Sequence, residues 1–126
     1  MNRRLPLEIR KLFTIDLVGD PPAPPPNPED FWIVVYASLG ATGDPGSDDF
    51  IFYVTTPVHL GRTIGMESWQ LGRHLIIVNR FNWGTIRAAI QSICDSVEAE
   101  TWDVAAEQLA RHGAWELEDY QESPNQ

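Results

Sequence analysis

Cysteine is almost absent: Cys94 is the single one in 126 residues, so no internal disulfide can form. Nothing therefore calls for an oxidising compartment, and a reduced cytosolic setting is the default. Long apolar runs are missing too, each falling far short of the ~20 residues that a membrane span needs. The start, Met1-Asn2-Arg3-Arg4-Leu5-Pro6, has no apolar signal core. The expectation is a cytoplasmic protein with no membrane partner. Metal-ligand spacing is absent as well: His59, His74 and His112 lie far apart, with no cysteine or paired carboxylate beside them. No cofactor is expected. The serines form no nucleophile elbow, and the glycines form no phosphate-cradling loop. Cys94 follows Ile93 on a helical face with no basic neighbour in sequence, which reads as a small buried hydrophobe rather than a nucleophile.

Basic residues are scarce at one end. From Asp95 to Gln126 there are nine acids against the single base Arg111, a net of −8 out of the −9 of the whole chain. The first eleven residues lean the other way, with Arg3, Arg4, Arg10 and Lys11 against Glu8. An acidic end argues against wrapping nucleic acid, whose phosphates need a basic track, and suits the steering of a basic partner. A plain solvated helical face is the alternative reading.

What is present is enough for one core. Hydrophobic residues make up 43% of the chain and include five tryptophans, so residues 1–126 read as a single domain, with a proline-rich loop at 21–28 and a frayed tail at 121–126. The organising stretch is residues 72–81. Its centre, Leu75-Ile76-Ile77-Val78, predicts a strand buried on both faces near the middle of a sheet. Asn82 then caps a helix whose apolar positions Ile86, Ala89, Ile90, Ile93 and Val97 share one face, with Phe81 placed to staple against Ile86.

Upstream, residues 7–15 alternate imperfectly and predict a half-exposed strand. The prolines from Pro21 to Pro28 predict an extended surface connection. Residues 31–39 and 50–56 are rich in aromatic and β-branched types around a Gly-Asp-Pro-Gly turn, a hairpin signal. Pro57 opens a short helix to about Ile64. Downstream, a helix from Thr101 places Trp102, Ala105, Ala106, Leu109 and Ala110 together, with Arg111 and His112 in its last turn and Gly113 in a left-handed position beyond it. Residues 114–118 alternate again, with Trp115 and Leu117 inward and Glu116 and Glu118 outward. The fold class is α+β: a mostly antiparallel sheet of four to five strands with two main helices on one face.

The acids invite two readings. An exposed row such as Glu116, Glu118 and Asp119 lacks the burial and separate environments that split catalytic carboxyl pKa values, so a binding surface is preferred to a catalytic site. If Trp102 or Trp115 is partly exposed, an aromatic ringed by acids makes a hot spot for a basic protein. The alternatives are a small enzyme, with His74 and C-terminal carboxylates forming a site, and a general interaction module using the hairpin edge or residues 20–28.

Four pieces of the chain carry a resemblance: Gly72-Arg73-His74-Leu75-Ile76-Ile77-Val78, the helix with Ile90 and Cys94, the segment from Trp102 to Leu109, and the ending Gly113-Ala114-Trp115-Glu116-Leu117-Glu118-Asp119-Tyr120. Together, from about Leu5 to Tyr120, the sequence resembles the immunity protein 8 family of bacterial polymorphic toxin systems, departing from it in the proline-rich loop and the basic start. The resemblance implies a small α+β protein that binds and neutralises a cognate toxin inside the producing cell. Many such toxins act on nucleic acids and carry basic surfaces, which the acidic end would complement. The family supplies no fixed set of binding residues. Charge and outward phase select Glu98, Glu100, Asp103, Glu116, Glu118 and Asp119 for partner binding, with no catalytic residue.

Overall fold

Alternation of apolar and polar residues builds the sheet first. The structure, a computed structural model, describes residues 4–116. Strands β1 (Leu7–Phe13), β2 (Trp32–Ala41) and β3 (Asp48–Thr55) form an antiparallel meander. Alternate residues of β2 are buried, Ile33, Val35, Ala37 and Leu39, and the β3 partners of the first three, Val54, Phe52 and Phe50, are buried with them. The pleat sends these to one face, where they form the core. The helix α1 (Pro57–Glu67) follows β3, then the short strand β4 (Leu75–Ile77), the helices α2 (Trp83–Ser96) and α3 (Trp102–Leu109), and β5 (Ala114–Trp115). The single sheet is therefore mostly antiparallel, and α2 and α3 pack their buried residues into the same core.

The helix ends follow side-chain chemistry. Asn82 caps α2 by accepting from the Thr85 amide at 3.1 Å, and Thr101 caps α3 through the Val104 amide at 3.4 Å. In α2 the residues Ile86, Ile90 and Cys94 recur at four-residue spacing and are all buried. Phe81 packs edge-on to Phe31, ring centroids 5.8 Å apart, at the margin of that core. Burial pushes the Cys94 thiol up to about 12, helped by the charge of Asp95. It is inert as a nucleophile, and native stability falls as pH rises from the ordinary thiol value of 9.0 toward that figure.

Five expectations are corrected. The apolar run at 75–78 is not a central strand: β4 is three residues long, pairs in parallel with β3 alone, and leaves Ile77 56% exposed. It is short because His74 sits at a left-handed φ of 62° before it, and it shares the β3 edge with β5. Leu75 and Ile77 lie opposite Tyr53 and Thr55, on the sheet face away from α2 and α3. The run is continuous because that outer face is apolar too, not because helices cover it.

The second correction is at the end of α3, which stops at Leu109. Arg111 and His112 lie beyond it, in turns that return their amides to Gln108 and Leu109. Gly113, third, has no left-handed φ. Glycine is required there because a Cβ would stand 2.6 Å from the Phe52 ring. Fourth, the proline-rich connection is not simply a surface loop, since Pro22 and Pro25 are buried. Its far end is tied down by the Phe81 amide on the Pro28 carbonyl at 2.7 Å and by the Thr56 hydroxyl on the Glu29 carbonyl at 2.7 Å. The helix from Pro57 is also longer than expected, ending at Glu67, although none of its residues is buried.

Candidate functional site

The expected acids fall in two groups. Glu98 and Glu100 are exposed in the connection from α2 to α3, and Asp103 is exposed in the first turn of α3, where a negative charge complements the helix dipole. Gln108 fixes this connection by accepting from the Glu98 amide at 3.0 Å and donating to its carbonyl at 2.8 Å. Glu116 is exposed just after β5, its amide donating to the Asp49 carbonyl at 3.2 Å. Glu118 and Asp119 lie outside the described residues.

Sequence reasoning missed two acids that join these groups. Trp102 donates from Nε1 to the Asp48 carboxylate at 2.8 Å, which brings the start of α3 to the start of β3. Asp49 accepts from the Ser38 hydroxyl at 2.5 Å across the β2–β3 pair. Asp48, Asp49, Asp103 and Glu116 thus come from three parts of the chain to one end of the sheet. A paired aspartate opening a strand, directly across from a serine, was the available signal. Trp102 is half-buried among these acids. Trp115 is half-buried as well, stacking on Phe50 at 6.2 Å, and its Nε1 is buried with no partner among the described residues.

His74 sits between a backbone carbonyl and a guanidinium. Its Nε2 stands 3.2 Å from the Ala110 carbonyl and 3.2 Å from Arg73 Nε. The ring nitrogen can donate to the carbonyl, tying the end of α3 to the loop before β4, or accept from the neighbouring guanidinium within that loop. No described carboxylate bonds to it. Among the described residues, no group of three or more His, Cys, Asp or Glu could hold a metal ion. No helix among them is long and apolar enough to cross a membrane.

The outer face of the sheet carries the other concentration of recognition chemistry. Phe13 stacks on Tyr36 at 5.1 Å, and Trp32 leans on Tyr53 at 5.7 Å. Beside Trp32 the first turn of α1 brings His59 to 6.1 Å. His59 Nδ1 lies 3.0 Å from Asp30 Oδ1, and Arg62 grips the same carboxylate through Nε at 3.1 Å and Nη2 at 2.9 Å. The Arg62 guanidinium beside Asp30 is the main cause holding that carboxyl below its usual range. A cleft of about 310 Å³ opens here, lined by Trp32, His59, Thr63, Glu67, Trp69 and Gln70. The sequence shows no periodic signal for it, because its walls come from β2, α1 and the loop after α1.

Comparisons with curated proteins and with solved structures give no match. The sequence model of one family, described as immunity protein 8, matches residues 12–120, most of the chain, and the chain belongs to that family.

Proposed function

We propose that this protein binds a cognate bacterial toxin in the cytoplasm of the producing cell and neutralises it by stoichiometric association through an acidic surface, with no catalysis of its own. The observation that carries the reading is the family match over residues 12–120. The net charge of −9 and the exposed positions of Glu98, Glu100, Asp103 and Glu116 support the choice of surface. Glu118 and Asp119 belong to the same proposal on sequence grounds. A basic, nuclease-type toxin is the partner such a surface suits, since opposite fields speed encounter and an acidic inhibitor occludes the track where phosphates would lie.

The contact of His74 with a backbone carbonyl favours binding over an enzyme centred on that residue. The test is co-expression with the toxin domain encoded beside this gene. Growth should be restored when the protein is present. Arrest that persists with the protein abundant and folded contradicts the reading.

A further inference from the structure

The cleft between Trp32 and α1 has a chemistry of its own. Its lining offers a carboxylate, an amide oxygen and indole faces. Glu67 makes no ion pair or hydrogen bond among the described residues. Gln70 Oε1 is buried without a partner, which costs about 1–3 kcal/mol unless something donates to it. Two indoles, Trp32 and the 69% exposed Trp69, stand in the lining. Two nearby donors are already committed: the Thr63 hydroxyl donates to the His59 carbonyl at 2.8 Å, and Arg62 is held on Asp30 through Nε and Nη2. Asp30 thereby keeps the neighbouring cation out of the cleft.

Carboxylate, amide oxygen and indole faces together suit a guanidinium. Its planar fork donates to two acceptors while its face stacks on an aromatic ring. The volume lies at the small end of the roughly 300–1,000 Å³ range of ligand clefts, a size for one side chain. Trp32, in the lining, also meets the Tyr53 ring on the outer sheet face. That face runs from Asp49 at the acidic end to Thr55 beside Trp32, six residue steps or roughly 20 Å at about 3.3 Å each.

We infer that the toxin lies across this outer face and inserts an arginine side chain into the cleft, between the indoles and against Glu67 and Gln70. The inference rests on the immunity reading for the identity of the partner. The chemistry of the cleft is independent of it.

Two arms test it. In the first, N-acetyl-arginine methylamide is titrated into the intact protein and followed by amide and indole NMR. Saturable shifts confined to Trp32, Trp69 and Gln70, weakened about fivefold or more with the neutral citrulline analogue or in E67Q, are expected for an exposed cation–π and carboxylate site. Equal shifts with citrulline, unsaturable shifts, or no effect of E67Q overturn the cleft assignment. In the second arm, E67K and W69A are measured for toxin binding, both positions being exposed so that the fold is kept. Each should raise Kd about tenfold or more. Toxin binding that both variants leave unchanged overturns the inference and spares the immunity reading. A wild-type protein that takes the arginine probe but no toxin upholds the cleft chemistry and overturns the toxin as its occupant.

Discussion

Gly113→Ala should destabilise the protein by about 1–3 kcal/mol, the usual cost of an extra methyl group forced into a packed core. The new Cβ would stand 2.6 Å from Phe52 Cζ and 2.7 Å from Cε1. Phe52 is fully buried among the core residues of β2, β3, α2 and α3, so the ring has nowhere to retreat. The close approach also sets where the chain turns from α3 into β5, because Gly113 is the last residue before Ala114 pairs with Ile51. Urea denaturation with and without Phe52→Leu checks the cause. If ring contact is responsible, the double variant loses less than the sum of the two single variants. Strict additivity would show that Gly113 is needed for another reason.

Reversing the described acids of the proposed surface should act on rate rather than on fold. Glu98, Glu100, Asp103 and Glu116 are exposed and none of them is in an ion pair among the described residues, so changing all four to lysine leaves the core untouched. The field that would guide a basic toxin is inverted along one side. Electrostatic steering accounts for about 10–10³-fold in association rate at low salt, and a loss within that range is expected on reversal. The loss should shrink as salt shortens the Debye length to about 10 Å at 0.1 M and below. Stopped-flow association across a salt series measures it. An association rate that is unchanged at low salt removes acidic steering from the account.

Local chemistry was legible in the sequence where one residue decides one feature. Asn82 and Thr101 at helix starts, Pro57 at a first helical position, and the helical face through Ile86 and Ile90 all read correctly because caps and helical faces are set within a few residues. The hairpin of β2 and β3 read correctly from its turn residues and its β-branched composition. The apolar run at 75–78 was misread because burial from two sides and an apolar outer face leave the same pattern. Gly113 was misread because a glycine after a helix signals a left-handed cap equally well as a close approach, and only the position of Phe52 separates them.

The candidate surfaces were legible in proportion to their locality. Glu98, Glu100 and Asp103 lie within six positions, so charge and outward phase along a short stretch were enough to propose them. Asp48 joins Asp103 only through the bond from Trp102, across 54 positions. The cleft needs Trp32 from one strand, Glu67 from the end of a helix that buries none of its residues, and Trp69 and Gln70 from the loop after it. Such a site has no period and no spacing, so it emerges only when the sheet has folded and α1 is laid beside its outer face.

Calorimetric titration of this protein into the purified cognate toxin domain, with toxin activity followed on the same samples, tests the central claim most directly. The account predicts a one-to-one complex, with toxin activity falling in step with complex formation and both partners recovered intact on dissociation. Loss of toxin activity at substoichiometric amounts of this protein, or a toxin left active and unbound, would contradict it.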